Sequence, residues 1–216
     1  MIVIKKMENQ KVLESINLIN QEVKKAYKNS INAKLKKKYE IKIIAISKRQ
    51  PLERITAALD IGHCIYGENQ VQESLIKWPN LKEKYKNIEL HLVGPLQSNK
   101  AKEAVKIFDV IQTVDREKIA KILKMEEEKQ KSGIMPNECD GFFNYCKNDL
   151  KLNIQGLMCI PPINEEATIH FAYLRKKVEE YKLPYLSMGM SSDYKKAVHF
   201  GATHIRVGEA IFGARP

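Results

Sequence analysis

Five polar side chains, Lys48, Asn69, His91, Ser187 and Arg206, fall on or just past stretches of sequence that read as β-strands. A lysine where a buried strand gives way to its loop is either a cation for an anionic ligand or an amine for Schiff-base chemistry. Partial desolvation lowers the pKa of such an ammonium and readies it for the second role. Position alone favours a lysine that simply runs its stem along the strand end to water. Two glycine-bearing loops, Gly189-Met190-Ser191 and Val207-Gly208-Glu209, follow the last two strands. Backbone N–H groups in such loops, at the start of a helix, bind phosphate. A lysine, a phosphate nest late in the chain and a nearby arginine are the parts needed by a pyridoxal 5′-phosphate (PLP) site. The lysine takes the aldehyde, the nest takes the phosphate, and a cation or donor faces the pyridine nitrogen.

The elements that position these residues follow from hydrophobic patterning. Ile41 to Ile46 is a crowded, mostly β-branched run ending at Ser47-Lys48, the habit of a parallel strand buried on both faces. Pro51 suits the first turn of a helix through Leu52, Ile55, Ala58 and Leu59, which stops at Gly62. Further strands are predicted at 63–66, 88–93, 110–114, 154–160, 185–188 and 204–207. Between them lie helices over 71–78 (closing at Pro79), through Ala104-Val105, from an Asp115 cap through Ile119 to Leu123, over 165–181 and through Val198. Val12, Ile16, Ile19, Val23, Ala26 and Tyr27 mark a long leading helix within about 8–37. Strand–helix alternation at this rhythm specifies a parallel sheet with right-handed crossovers. No G-x-G-x-x-G follows the first strand, and no linker interrupts the alternation. A (β/α) barrel in one domain, 1–216, with a leading helix is therefore expected, and strand ends of a barrel share one rim.

Composition sets the outer limits. The 216 residues suffice for one large domain, and 44% hydrophobic beside 29% charged residues is the balance of a globular protein. No run approaches the ~18 apolar residues of a membrane span. The start lacks the order of a signal peptide, so a cytoplasmic protein is expected. Four scattered cysteines show neither zinc spacing nor a disulfide framework and read as reduced structural thiols. The net charge of +11 comes from lysines interleaved with glutamates, with no arginine-rich tract. It reads as solvated faces rather than a nucleic-acid footprint.

The stretches Ala45-Ile46-Ser47-Lys48, Tyr66-Gly67-Glu68-Asn69-Gln70-Val71-Gln72-Glu73, His91 to Lys100, Gln130 to Ile134, Gly156-Leu157-Met158-Cys159-Ile160-Pro161, Ser187-Met188-Gly189-Met190-Ser191 and Ile205 to Gly213 closely resemble the PLP homeostasis protein family, the YggS/PROSC group. The match is collinear over nearly the whole chain. The resemblance implies a (β/α)8 TIM-type barrel related to the N-terminal domain of alanine racemase. It implies a non-catalytic PLP-binding regulator of cofactor, amino-acid and keto-acid balance, with PLP-dependent apo-enzymes as partners, and a monomer is expected because the racemase dimerisation domain is not. Carried over residue by residue, Lys48 is the Schiff-base lysine, and Ser191 with the Met190 and Gly208 backbone holds the phosphate. Arg206 then faces the pyridine nitrogen and keeps it unprotonated, because two cations in contact repel. Asn69 and His91 line the ring or its 3-hydroxyl side, and Ser187 belongs to the same set. From the residues alone, His91 reads equally as a hydrogen-bonded core histidine, Asn69 as an Asx-turn residue and Ser187 as a local hydrogen-bonding group.

Two departures from the family pattern stand out. Glu209 replaces the usual serine or threonine after the glycine of the last motif, so its carboxylate is expected to turn away, leaving the backbone N–H to donate to the phosphate. Between Glu128 and Ser132, moreover, a strand or a piece of sequence is missing, leaving seven barrel strands where ~8 close such a barrel. Two other functions compete. An amino-acid racemase shares the barrel and lysine but needs a second acid/base, supplied in alanine racemase by a C-terminal β-domain that is not expected beyond Pro216. A polyanion- or RNA-binding module rests on the positive charge alone, and salt dependence would discriminate it.

Overall fold

A computed structural model of the chain describes residues 2–35, 40–125 and 134–214. Seven strands are formed among these residues, at the positions the alternation predicts. The paired strands run parallel. Contacts group the chain into two units, Met1–Gly67 with Gly156–Pro216, and Glu68–Gln155.

The first unit begins with helix α1 (Ile2–Lys28) and the short α2 (Ile31–Lys34). Val12, Ile16, Ile19, Val23 and Ala26 are all buried, at the 4-3-4-3 spacing of a single helical stripe. The predicted helix to about residue 37 is broken at Ser30. That residue is extended, fully buried, and accepts the Ala33 N–H on its Oγ at 3.1 Å, starting a new helix. Strand β1 (Lys42–Ile46) follows, with Ile43, Ile44 and Ala45 consecutively buried, so both of its faces are covered. Helix α3 (Leu52–Asp60) packs on α1 and leads to β2 (Ile65–Glu68). The unit resumes with β5 (Gly156–Met158), α8 (Ala167–Glu180), β6 (Tyr185–Ser187), α9 (Tyr194–His199), β7 (His204–Val207) and α10 (Glu209–Phe212). Within it the strands lie in the order β2-β1-β7-β6-β5. β1 and β7 register as Lys42↔His204 through Ala45↔Val207.

The second unit takes in the last residue of β2, Glu68, and continues with α4 (Val71–Lys84), β3 (Glu89–Leu92), α5 (Ala101–Ile107), β4 (Val110–Ile111), α6 (Glu117–Met125) and α7 (Cys139–Asn144). Its β3 and β4 pair as His91↔Val110 and Leu92↔Ile111. Helix α4 does not close at Pro79 as the sequence suggests but runs through it. An interior proline costs about 3 kcal/mol. Burial of Trp78 and Leu81 on either side of it outweighs that cost. The stretch after Ile134, which carries no clear period, forms α7 and then a wider π-helical turn over Tyr145–Asp149, anchored by buried Phe143 and Cys146. The junction between Glu128 and Ser132, where the sequence reading places a missing strand, lies outside the described residues.

Candidate functional site

In the first unit the C-terminal ends of β1, β6 and β7 emerge together, because the three strands are parallel neighbours. The register sets the residue after β7, Gly208, against Ile46. A Cβ added at Gly208 would lie 3.2 Å from both Cβ and O of Ile46. Lys48 sits two residues further along β1's exit, half-buried in a turn. That turn is pinned before and after the lysine. The N–H of fully buried Ser47 donates to Gly67 O at 3.0 Å, and the Gln50 N–H returns to Ser47 O at 3.1 Å. Arg49, next in line, takes a left-handed φ of 56°.

Arg206 projects from β7 and is 3% exposed. Its Nη1 donates to Ser187 Oγ at 2.8 Å and its Nη2 to Cys159 O at 2.8 Å. Both acceptors are neutral, and among the described residues no carboxylate lies within ion-pair distance of this guanidinium. Burial pulls its pKa down to about 10, against weaker support from Cys159 and Asp193, so it remains a cation at neutral pH. Burial likewise pushes the Cys159 thiol up to about 11, which leaves it protonated and a poor nucleophile. Ser187, also buried, is thus brought into contact with Arg206 as the sequence reading groups them.

The loop after β6 is shaped by Gly189, whose φ of 92° and close packing admit no side chain. A Cβ there would lie 2.6 Å from Ala197 Cβ and 2.9 Å from Tyr194 Cα. Gly189 O accepts the Arg206 N–H at 2.9 Å, tying this loop to β7. Met190 begins a helical turn. Its carbonyl accepts from the N–H groups of Asp193 and Tyr194 at 3.1 and 2.9 Å, and its own N–H donates to Asp193 Oδ1 at 2.6 Å. This is the reach-back half of a capping box. The Met190 N–H, assigned to a phosphate by the sequence reading, is therefore already engaged by a carboxylate. The neighbouring donors differ. Ser191 and Ser192 are exposed, and among the described residues neither their N–H groups nor their hydroxyls have a partner. Glu209 is exposed at the first position of α10, away from the buried strand ends, and Gly208 O caps the same turn by accepting from Ile211 and Phe212.

Asn69 and His91 belong to the second unit. Asn69 is half-buried after β2, with its backbone so close to Gly94 that a Cβ there would meet Asn69 O at 2.3 Å. His91 is 2% exposed and both ring nitrogens are engaged: Gln112 Nε2 donates to Nδ1 at 2.8 Å, and Nε2 meets Glu89 Oε1 at 2.7 Å. With Nδ1 accepting, the proton belongs on Nε2. Sequence reasoning passed over the carboxylate beside Asn69. Glu68 is fully buried and holds Lys77 Nζ at 2.9 Å and Trp78 Nε1 at 3.1 Å. The sequence reading ends this strand at residue 66 and so leaves Glu68 in the loop that follows, whereas β2 runs on to Glu68. Among the described residues no group of three His, Cys, Asp or Glu side chains is placed to hold a metal ion, and no helix is long and apolar enough to cross a membrane.

Comparison with known proteins places this geometry in context. Residues 29–216 match the family described as alanine racemase, N-terminal domain. The pyridoxal phosphate homeostasis protein of Pasteurella multocida is 37% identical over 202 residues, spanning 81% of this chain and 87% of that protein. Its counterpart in Haemophilus influenzae is 32% identical over 231 residues, spanning 94% of this chain and 96% of the relative. Among solved structures, PipY of Synechococcus elongatus with PLP bound superposes with a TM-score of 0.71 at 31% identity, covering 87% of this chain and all of PipY.

Proposed function

This chain belongs to the pyridoxal phosphate homeostasis protein family, with the fold of the alanine racemase N-terminal domain, and on that premise we propose that it binds PLP on Lys48 and serves PLP and amino-acid/keto-acid homeostasis without catalytic turnover. The observation that carries the reading is Arg206. A buried cation is stable only when paired or hydrogen-bonded, and among the described residues this one has two neutral acceptors and no carboxylate. The remaining donors of its fork suit a ligand with acceptor atoms. The N–H groups of Ser191 and Ser192, without partners among the described residues, offer the neutral end of an anion site on the next strand, and Gly208, packed closely on Ile46, brings its backbone alongside β1. These groups fit PLP.

In this reading Lys48 condenses its amine with the cofactor's aldehyde, with loss of one water, and so retains it covalently. Ser191, its neighbour Ser192 and the Gly208 backbone hold the phosphate, and Met190 contributes the turn rather than its N–H. Arg206 faces the pyridine nitrogen and disfavours its protonation, which weakens the ring as an electron sink and suits a carrier. Ser187 holds Arg206 in place. Glu209 gives its backbone alone. The protein is proposed to act as a cytoplasmic monomer that supplies PLP-dependent apo-enzymes.

The test is a PLP titration followed by incubation of the loaded protein with L- and D-alanine and with keto acids. Saturable binding without racemisation or transamination supports the reading. Sustained interconversion of the alanine enantiomers would make the protein a racemase instead.

A further inference from the structure

Asp193 is the one ionisable side chain of the β6 loop that the proposed cofactor site leaves without a task. It is half-buried, and among the described residues its carboxylate has a single hydrogen-bond partner, the Met190 N–H at 2.6 Å, and no cation. The acceptor and the charge of this group do different things. The acceptor satisfies the first donor of the turn and so fixes the path of residues 190–193, which leaves the next two N–H groups, those of Ser191 and Ser192, without partners. The charge sits within the same turn as those donors, and among the described residues no cation forms an ion pair with it. A phosphate ester approaching them meets a like charge. Arg206, from the neighbouring strand, is within electrostatic reach of Asp193.

We propose that Asp193 is a positioning residue that sets how strongly this loop holds a phosphate ester: its oxygen shapes the turn through Met190, while its negative charge weakens the grip on the dianion. The proposal rests on the reading that the phosphate of PLP occupies the 189–193 loop. It assigns the chain a built-in means of keeping the cofactor releasable.

Asp193→Asn keeps an acceptor for Met190 and removes the charge, whereas Asp193→Ala removes both. PLP and pyridoxal, which lacks the phosphate, are titrated into each protein, with melting temperature as the check on folding. The expected result is that Asp193→Asn binds PLP roughly 3- to 10-fold more tightly than wild type. Pyridoxal binding should stay unchanged, and the gap between variant and wild type should shrink at about 1 M salt, where charges are screened within about 3 Å. Asp193→Ala should hold PLP less tightly than Asp193→Asn, because its turn is no longer fastened. Asp193→Ser, another uncharged acceptor, repeats the test should the amide variant fold poorly. Equal or weaker PLP binding by folded, charge-free acceptor variants would overturn the proposal, as would an equal gain for pyridoxal. Failure of the cofactor reading looks different: wild type and variants alike would bind neither compound, and the role of Asp193 would fall with it.

Discussion

The first unit buries two arginines at opposite ends of its strands, and their surroundings differ. Arg175, on α8 near the N-terminal end of β7, is 8% exposed and fully provided for. Its Nε donates to Glu179 Oε1 at 2.8 Å and its Nη1 to Asn32 Oδ1 at 2.7 Å, while Asn32 Nδ2 donates onward to Gly201 O at 3.0 Å. A cavity of about 480 Å³ beside it is lined by Asn32, Leu183, Leu186 and Thr203 among others, and the polar side chains named here are all bonded within the protein. Arg206, at the C-terminal ends, is buried more deeply, yet among the described residues its side chain meets only a hydroxyl and a carbonyl. One end of the strands spends its polar groups on itself. The other holds donors in reserve. Burial of charge by itself therefore says little about function, and the completeness of its pairing says more.

This contrast can be broken by exchanging each arginine for an apolar side chain. Arg175→Met should cost about 2–3 kcal/mol of stability, because it leaves Asn32 Oδ1 buried without its donor and Glu179 without its partner. PLP binding by the folded fraction should be unchanged, which chemical denaturation and PLP titration together would establish. Arg206→Met should reverse that pattern. Stability should change by less than about 1 kcal/mol, or rise, since a buried cation with no carboxylate partner among the described residues is removed. PLP affinity should drop roughly 10- to 30-fold, the loss of a charge-assisted contact. A destabilised Arg206→Met that still binds PLP normally would show that this guanidinium is structural after all.

The smallest expected effect is a pH dependence on the stability side. His63, just before β2, has its Nε2 on Ile65 O at 2.9 Å, and burial lowers its pKa below 6.5. The unfolded chain then takes up the proton more readily than the folded one, so stability rises with pH. The contribution is fully present above about 6.5 and is lost as pH falls through the folded pKa. Denaturation midpoints between pH 7.5 and pH 5, taken at roughly half-unit steps across the ordinary histidine range, should fall less in His63→Leu than in wild type.

How far the sequence speaks depends on whether a feature is local. The buried stripe of α1 and the apolar run of β1 came through because periodicity records burial directly. So did the placement of Ser187, Arg206 and the glycine loops at strand ends. Pro79 misled, because a local helix breaker was overruled by the tertiary burial of Trp78. The helix at Cys139–Asn144 had no readable period. The engagement of His91 depends on Gln112, just past the neighbouring strand, and no spacing rule reaches that far. Asp193 is a different kind of omission. An acidic residue three places after Met190, at a helix start, is a recognisable cap signal, and it would have shown that the Met190 N–H was already spent.

The central claim is that Lys48 holds the cofactor, and borohydride reduction of the PLP-loaded protein followed by peptide mass mapping tests it most directly. Expected are a visible absorbance band that reduction removes, a phosphopyridoxyl group on Lys48 afterwards, and neither in Lys48→Ala. Unchanged labelling in Lys48→Ala, or label carried on another lysine of the wild-type protein, would contradict it.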